Sequence, residues 1–198
     1  YYEGKTNKGN PDLKPEESEA FEVGLKYNTY FLRAHIAGFY RKGKNMIDWV
    51  KEKPEDIWES QNLTKVDNLG FETNLSLLPR ELGNERFFIR KIELGYAFIH
   101  QDKDSEGYIS NYALDYLKHK FTAQLSHSIW KGFSATWYVR WQDRAGSYTK
   151  YENLKPAYEE PYAPYCLVDM KVNWEYQRLN LYAELNNLLN STYYDMGN

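Results

Sequence analysis

Apolar and polar residues alternate in eight stretches of this sequence, and this alternation restricts the fold more than any other feature. A period of two residues is that of a β-strand with different surroundings on its two faces, whereas a helix repeats every 3.6 residues. In the first stretch Phe21, Val23 and Leu25 share one face, with polar residues or glycine between them. The predicted strands are Glu16–Tyr27, Tyr30–Arg41, Val66–Leu77, Phe87–His100, Lys118–His127, Phe133–Gln142, Tyr165–Tyr176 and Arg178–Asn187.

The connections between these strands alternate in length. The short ones are Asn28-Thr29, Leu78–Glu85, Ile129–Gly132 and Gln177, alone or with Arg178, and the long ones are Lys42–Lys65, Gln101–Leu117 and Asp143–Pro164. A meander that crosses a membrane produces this pattern, because its turns are short on one side and its loops are long on the other. We therefore predict an all-β, antiparallel, up-and-down transmembrane β-barrel, of which this chain supplies about eight strands.

Composition agrees with strands that face lipid on one side only. Aromatic residues make up 17% of the chain, yet its mean hydropathy is −0.79. A barrel strand needs only about ten residues to cross a bilayer and only every second one is apolar, so average hydropathy hardly registers it. The aromatic residues near the short turns predict an interfacial girdle: Tyr27, Tyr30, Trp130, Phe133, Trp174 and Tyr176.

Charge and cysteine content exclude other classes of protein. The net charge of −3, with acidic and basic residues interspersed, argues against a nucleic-acid partner, which needs a basic patch. The single Cys166 excludes an internal disulfide framework and a cysteine-rich zinc site. The four histidines lack metal-ligand spacing, and no residues form a nucleophile elbow, so we expect neither a metal site, a cofactor nor an enzyme.

Aromatic side chains are also frequent in the long loops, where they are candidates for capturing a ligand. Such side chains hold bulky ligands by stacking and apolar contact, although they equally pack loops against one another. The candidate residues are Trp49, Trp58, Tyr108, Tyr112, Tyr148, Tyr151, Tyr158 and Tyr162.

Hairpin register predicts which charged residues face each other on the polar side. If Tyr27 pairs with Tyr30, Glu22 lies opposite His35, and if Tyr176 pairs with Leu179, Lys171 lies opposite Glu184. We expect both pairs to face the barrel lumen. Wall structure or contact with material inside the barrel explains them more simply than transport chemistry does.

Three motifs occur in the order found in TonB-dependent receptors. The segment NPDLKPE at 10–16 resembles the family signature that precedes a barrel strand. The segment NLGFE at 68–72 resembles a recurrent strand motif, and NLLN at 187–190 with Tyr193 and Tyr194 resembles the end of the penultimate strand. Leu189 stands where the family usually has Phe. The resemblance extends over essentially the whole chain.

The resemblance implies a longer protein. Family members have a barrel of about 22 strands filled by an N-terminal plug with a TonB-binding segment. Residues 1–198 are then expected to be the C-terminal portion of the barrel without its final strand, with the plug and the earlier strands absent. The implied location is the outer membrane of a Gram-negative bacterium, where the barrel contacts lipid and lipopolysaccharide.

The implied function is uptake of a scarce nutrient, such as a ferric siderophore or cobalamin, energised through TonB. Two other classes of function fit the residues alone. One is a passive porin or a barrel adhesin without energy coupling, and the other is a secreted β-sandwich that binds glycans. A plug upstream would identify the receptor, and purification as a soluble monomer would identify the sandwich.

Overall fold

The computed structural model describes residues 4, 6–53, 55–83, 87–104, 107–110, 116–152 and 155–194. Among these residues the one helix is a short 3₁₀ turn, Pro79–Leu82, and no helix is long and apolar enough to span a membrane. The strands are β1 (Asn7–Lys8), β2 (Glu17–Asn28), β3 (Leu32–Lys51), β4 (Trp58–Leu77), β5 (Ile89–Asp104), β6 (Ile109–Ser110), β7 (Leu117–Trp130), β8 (Phe133–Arg144), β9 (Ser147–Glu152), β10 (Lys155–Pro161), β11 (Tyr165–Tyr176) and β12 (Leu179–Leu185).

Eight of these strands form one antiparallel sheet, in the order β2-β3-β4-β5-β7-β8-β11-β12. Each long strand pairs with the next long strand in the chain, so the predicted up-and-down meander is confirmed. The sheet does not close on itself, and its two edges are β2 and β12. The described residues form this sheet and one two-stranded hairpin, β9–β10, and not the two packed sheets of a sandwich, the fold of the glycan-binding alternative.

One face of the sheet is a continuous apolar surface. The surface continues from strand to strand because directly opposed residues in antiparallel strands point to the same side, and on this side most of them are apolar. Leu25 and Val23 on this face expose 70% and 78% of their surface, which is costly in water but suits lipid. One such row runs through Leu32, Leu77, Ile92, Leu125, Trp137, Met170 and Leu185.

The opposite face is polar. Its rows follow the same register, one residue out of step with the apolar rows. One polar row passes through Asn28, Arg33, Ser76, Glu93, Gln124, Tyr138 and Asp169. The sheet therefore has the apolar-out, polar-in composition of a transmembrane barrel wall.

Five residues of the predicted aromatic girdle lie on the apolar face at the short-turn end, and the sixth, Tyr30, lies in the turn between β2 and β3. Phe133 pairs with both Trp130 and Trp174, and the rings of Phe133 and Trp174 stack 5.8 Å apart. The rings of Trp174 and Tyr176 stack at the same distance, and Trp130 is 69% exposed. Amphipathic rings at this level match the position of a membrane interface.

At the other end, two strands extend well beyond the apolar face. The predicted loop Lys42–Lys65 is mostly strand, because β3 continues to Lys51 and β4 begins at Trp58. Strand β1 adds to β4 in parallel, and β6 adds to β3 in antiparallel. We call this arrangement, in the order β1-β4-β3-β6, the outer sheet. Asp48, Val50 and Ser60 are buried in this part of the hairpin.

Candidate functional site

The polar face of the sheet borders a cavity of about 670 Å³. Residues from seven neighbouring strands line it, from β2 to β11. A flat sheet cannot bring so many strands to one cavity, so the polar face is concave. Its charged lining residues are Lys26, Arg33, Glu93, Arg140 and Asp169, and His35 lies among them. This surface corresponds to the lumen side of a barrel wall.

The predicted pair Lys171 and Glu184 is directly opposed in the β11–β12 hairpin. Tyr176 pairs with Leu179, as predicted, and Lys171 Nζ donates to Oε1 of Glu184 over 2.8 Å. The ammonium also lies 4.2 Å from the centre of the Tyr182 ring. Both charged side chains stay partly exposed, so the pair is a modest contribution to the wall.

The predicted pairing of Glu22 with His35 is wrong. Glu22 lies opposite Phe39, and His35 lies opposite Lys26. The turn is longer than predicted because the hydroxyl of Thr29 hydrogen-bonds Leu32, with Asn28 pairing Arg33. Both side chains still lie on the polar face, but Glu22 is four residues away from Lys26, the residue that pairs with His35.

His35 has another carboxylate nearby. Its Nδ1 lies 3.8 Å from Oε1 of Glu72, on the neighbouring strand β4. Glu72 belongs to the NLGFE motif at 68–72. Sequence reasoning could not pair these residues, since the predicted connection between their strands, Lys42–Lys65, is long and has no tight turn to set the register.

The two predicted tryptophans lie in the outer sheet. Trp49 pairs with Ser60, and Trp58 pairs with Asn7 of β1. The Nζ of Lys51 lies 4.5 Å from the centre of the Trp58 ring. Both indoles are half-buried, as is Tyr108 beside β6, whereas Tyr112 lies outside the described residues. These three aromatic residues therefore contribute to packing within the outer region as well as to its surface.

The predicted loop Asp143–Pro164 contains the β9–β10 hairpin, which carries Tyr148, Tyr151 and Tyr158, and Tyr162 follows directly after β10. Tyr148 and Tyr162 are half-buried and pack together with centroids 5.6 Å apart. Tyr151 and Tyr158 expose 63% and 50% of their surface. The structure thus separates the four: Tyr148 and Tyr162 pack against each other, whereas Tyr151 and Tyr158 present exposed rings, and the Tyr158 ring centre also lies 5.5 Å from Nζ of Lys150.

A three-residue polar cluster stabilises the same hairpin. Lys150 Nζ lies 2.7 Å from Oε2 of Glu160, and the Tyr148 hydroxyl donates to the same oxygen over 3.0 Å. These hydrogen bonds, first from Lys150 and then from Tyr148, lower the pKa of Glu160. The hydrogen bond to Glu160 raises the pKa of Lys150, while burial and then the carboxylate raise that of Tyr148.

The NLLN motif turns the chain back along β11. Asn187 and Asn190 both have φ of 51°, a left-handed conformation that asparagine tolerates better than most residues. The backbone N–H of Asn187 donates to Oδ1 of Asp169, and the hydroxyl of Ser191 donates to the carbonyl of Cys166, each over 2.7 Å. The chain beyond β12 therefore stays beside β11.

The two tyrosines that follow this motif anchor it to the outer region. Tyr193 stacks on Tyr165 and Tyr194 stacks on Tyr148, both with centroids 4.6 Å apart. Sequence reasoning noted Tyr193 and Tyr194 only as part of a resemblance. The structure assigns them a physical role, since Tyr194 supports the hairpin that exposes Tyr151 and Tyr158.

The segment NPDLKPE lies along the β3–β4 hairpin. The side-chain amide of Asn62 accepts from the backbone N–H of Lys14 and donates to its carbonyl, as a neighbouring strand would. The Glu16 carboxylate accepts from the backbone N–H of Ile47 over 2.7 Å. Asn45, which has φ of 54°, donates to the carbonyl of Pro15 over 3.4 Å. The motif therefore docks the incoming chain on the hairpin before β2 begins.

Metal-ligating residues are not gathered in the described part of the chain. It contains no group of three or more His, Cys, Asp or Glu residues that could hold a metal ion. The Tyr96 hydroxyl and Nδ1 of His119 lie 2.8 Å apart, and Nε1 of Trp137 donates to Nε2 of His127 over 3.1 Å. These two histidines are engaged with aromatic partners on the apolar face.

Comparison with known families identifies one match, which spans nearly the whole chain. Residues 1–188 match the family model described as TonB dependent receptor-like, beta-barrel. A vitamin B12 transporter, BtuB of Vibrio vulnificus, is 28% identical over 105 residues, which is 46% of this chain and 17% of that protein.

Solved structures share the fold. The FrpB iron transporter of Neisseria meningitidis superposes with a TM-score of 0.65 at 17% identity, covering 95% of this chain and 29% of that chain. A mutant ferric enterobactin receptor PfeA of Pseudomonas aeruginosa, in complex with enterobactin, gives a TM-score of 0.63 at 21% identity, covering 92% and 27%. This chain spans less than a third of the length of each of these proteins.

Proposed function

Since this chain belongs to the TonB-dependent receptor β-barrel family, we propose that it is the C-terminal portion of the barrel of a receptor that takes up a scarce nutrient. Energy reaches the receptor from TonB, through a plug domain of the longer protein. Members of this family lie in the outer membrane of Gram-negative bacteria, and the apolar face suits contact with lipid and lipopolysaccharide there. The nutrient is a bulky chelate such as a ferric siderophore or cobalamin.

The observation that carries this proposal is the position of Tyr151 and Tyr158. Both rings are exposed on a hairpin at the long-loop end of the sheet, and the hairpin is fixed by Tyr148 and its partners. Exposed aromatic rings on a rigid support bind apolar and planar parts of a ligand at little cost in conformational entropy. Relatives that transport vitamin B12 or bind ferric enterobactin support this class of ligand.

The test is growth of a strain that lacks the full-length gene on single iron and cobalamin sources, with and without TonB. The strain is expected to lose growth on one source, and complementation is expected to restore growth only where TonB is present. Restored growth without TonB would instead identify a passive porin, and unchanged growth on every source would favour an adhesin.

Ligand binding by the purified full-length receptor tests the hairpin itself. The ligand is the nutrient on which complementation restores growth. The Tyr151→Ala/Tyr158→Ala variant is expected to bind it about tenfold more weakly, since two stacking contacts are lost. Tyr176→Ala is the matched control, because Tyr176 is similarly exposed, at 55%, but lies at the opposite end of the sheet. Equal affinity of the double variant and the control would contradict the role of the hairpin.

A further inference from the structure

Four positive side chains on the polar face of the sheet form two pairs of like charge. Lys26 in β2 and Arg33 in β3 are diagonal neighbours, two positions away from direct opposition. Lys120 in β7 and Arg140 in β8 have the same relation. Diagonal neighbours are roughly 7–8 Å apart, which is within reach of long side chains. We call these four residues the lumen cations.

The lumen cations form no ion pair in the described part of the chain. Three of them, Arg33, Lys120 and Arg140, lie on inner strands, so the strands on both sides of them are described. The residues directly opposite these three are all uncharged: Asn28 and Ser76, Ala97 and Gln142, and Thr122 and Leu167. Direct cross-strand pairing therefore does not balance their charge.

The carboxylates beside the cavity are engaged with other groups. Glu93 and Asp169 are the acidic residues that line this cavity of about 670 Å³. Oε1 of Glu93 lies 2.8 Å from Nζ of Lys91, and Oδ1 of Asp169 accepts the backbone N–H of Asn187 over 2.7 Å. Three of the lumen cations line the same cavity, and neither of these described carboxylates forms an ion pair with them.

The two pairs of cations lie on opposite sides of a concave surface. Strands β4 and β5 separate β3 from β7, so the pairs are three strand spacings, or roughly 14 Å, apart. The cavity has a volume typical of small-molecule sites, which are about 300–1,000 Å³. A bulky ligand with several negative groups can contact both pairs at once, whereas a single carboxylate cannot.

An anion at this position has a clear energetic effect. It offsets the repulsion between the like charges within each pair. Guanidinium groups also bind planar anionic groups such as carboxylates through two parallel hydrogen bonds, which suits Arg33 and Arg140. The side chains of both arginines are exposed on the polar face and free to make these contacts.

We propose that the transported nutrient is an anion, such as a ferric chelate whose iron-binding groups are carboxylates or catecholates, and that the lumen cations bind it as it moves along the barrel wall. This inference rests on the proposed function and deepens it by naming the charge of the nutrient. It favours an anionic ferric chelate over cobalamin, which is neutral.

The first part of the experiment grows the complemented deletion strain on nutrient sources of known charge. The anionic sources are ferric citrate and a ferric tricatecholate, and the neutral sources are a ferric trihydroxamate and cyanocobalamin. Growth is expected to be restored on an anionic source. Restoration on a neutral source would overturn this inference but leave TonB-dependent uptake intact. Restoration on none of them would contradict the proposed function itself.

The second part measures how fast and how tightly the restored anionic chelate binds the purified full-length receptor, between roughly 0.05 and 0.5 M salt. Lys120→Gln/Arg140→Gln is expected to bind about tenfold more weakly and to depend less on salt, since two positive charges are lost. Lys171→Gln/Glu184→Gln is the matched control, because it removes two charged groups from the same face without changing the net charge. The control is expected to bind like the unmodified receptor.

A further variant, Lys120→Arg/Arg140→Lys, keeps both charges and is expected to keep the salt dependence. It separates the loss of charge from any disturbance of the fold. Weaker binding of the glutamine variant with an unchanged salt dependence would show that the cations position another part of the receptor, and this result would overturn the proposal. Binding of the glutamine variant equal to that of the control would also overturn it.

Discussion

The rings of Tyr148 and Tyr194 are stacked, with centroids 4.6 Å apart and planes inclined by 20°. Tyr148 lies in β9, and Tyr194 lies beyond β12, in the segment that returns along β11. The contact therefore joins an outer hairpin to the sheet edge next to it. The conformation of the β9–β10 hairpin depends on residues outside the hairpin itself.

Replacing Tyr194 is expected to loosen this hairpin. An aromatic pair contributes about 0.5–1.5 kcal/mol, so Tyr194→Ala is expected to speed amide exchange in Ser147–Pro161 by about three- to tenfold. Hydrogen exchange of the full-length receptor measures this. Tyr151→Ala serves as the control, because its exposed ring has no stacking partner among the described residues. The same acceleration in both variants would show that the stack does not hold the hairpin.

The hairpin is also expected to respond to acid. The pKa of Glu160 is lowered below its ordinary value of 4.5 by Lys150 and Tyr148. Its ion pair therefore stabilises the hairpin fully above pH 4.5, and this contribution is lost as the pH falls through the lower pKa. The raised pKa of Lys150 keeps the ammonium charged throughout that range.

Tyrosine-ring NMR resonances of the full-length receptor provide the measurement for this pH dependence. The signal of Tyr148 is expected to shift with a midpoint below pH 4.5. Glu160→Gln is expected to abolish the transition, because the amide does not titrate. A transition that persists in this variant would have to come from another carboxylate.

The ion pair between Lys171 and Glu184 is expected to be weakly stabilising. Cross-strand charge pairs contribute about 0.2–1 kcal/mol, and both side chains here are partly exposed. A double-mutant cycle with Lys171→Ala and Glu184→Ala, measured by reversible unfolding in lipid or detergent, is expected to give a coupling energy in this range. The charge-swapped pair Lys171→Glu/Glu184→Lys is expected to recover most of it. A coupling energy near zero would show that the interaction between the two charges does not stabilise the sheet.

Two glycines in the same region of the sheet are expected to differ in their tolerance of alanine. A Cβ on Gly70 would lie 2.5 Å from the ring of Phe39 and from the carbonyl oxygen of Phe98, whereas a Cβ on Gly38 would meet nothing closer than 3.9 Å. Gly70→Ala is expected to cost about 1–3 kcal/mol in the free energy of unfolding. Gly38→Ala is expected to change it little. Similar values for the two variants would contradict the close approach at Gly70.

The membrane part of the fold was readily predicted from the sequence. The predicted strand Tyr165–Tyr176 coincides with β11, and the predictions for β2 and β8 differ from the structure by one or two residues. Lipid on one side and a polar space on the other impose opposite residue types on neighbouring positions. That contrast makes these strands visible in a single sequence.

Outside the membrane part, the contrast between the two faces disappears. Residues 42–51 and 58–65 extend β3 and β4 where neither face meets lipid, and they were predicted as loop. The short strands β1 and β6 owe their conformation to partners far away in the chain. Such pairings cannot be predicted from the local sequence pattern.

The register of the β2–β3 hairpin was predicted wrongly for a different reason. A two-residue turn favours residues that accept positive φ, such as Asn-Gly, and the β-branched Thr29 is a poor second member. The longer turn closed by the Thr29 hydroxyl could have been inferred from this preference. Among the candidate capture residues, the sequence supplied the aromatic set but could not separate Tyr151 and Tyr158, which are exposed, from Tyr148 and Tyr162, which pack.

The outer sheet has a consequence for how this surface can diversify. β1 and β6 are held to the β3–β4 hairpin through main-chain hydrogen bonds, which any non-proline residue can make. Side chains in the adjoining loops can therefore be exchanged during evolution while the loops keep their positions. A scaffold of this kind allows the side chains exposed around it to change without altering the membrane wall beneath.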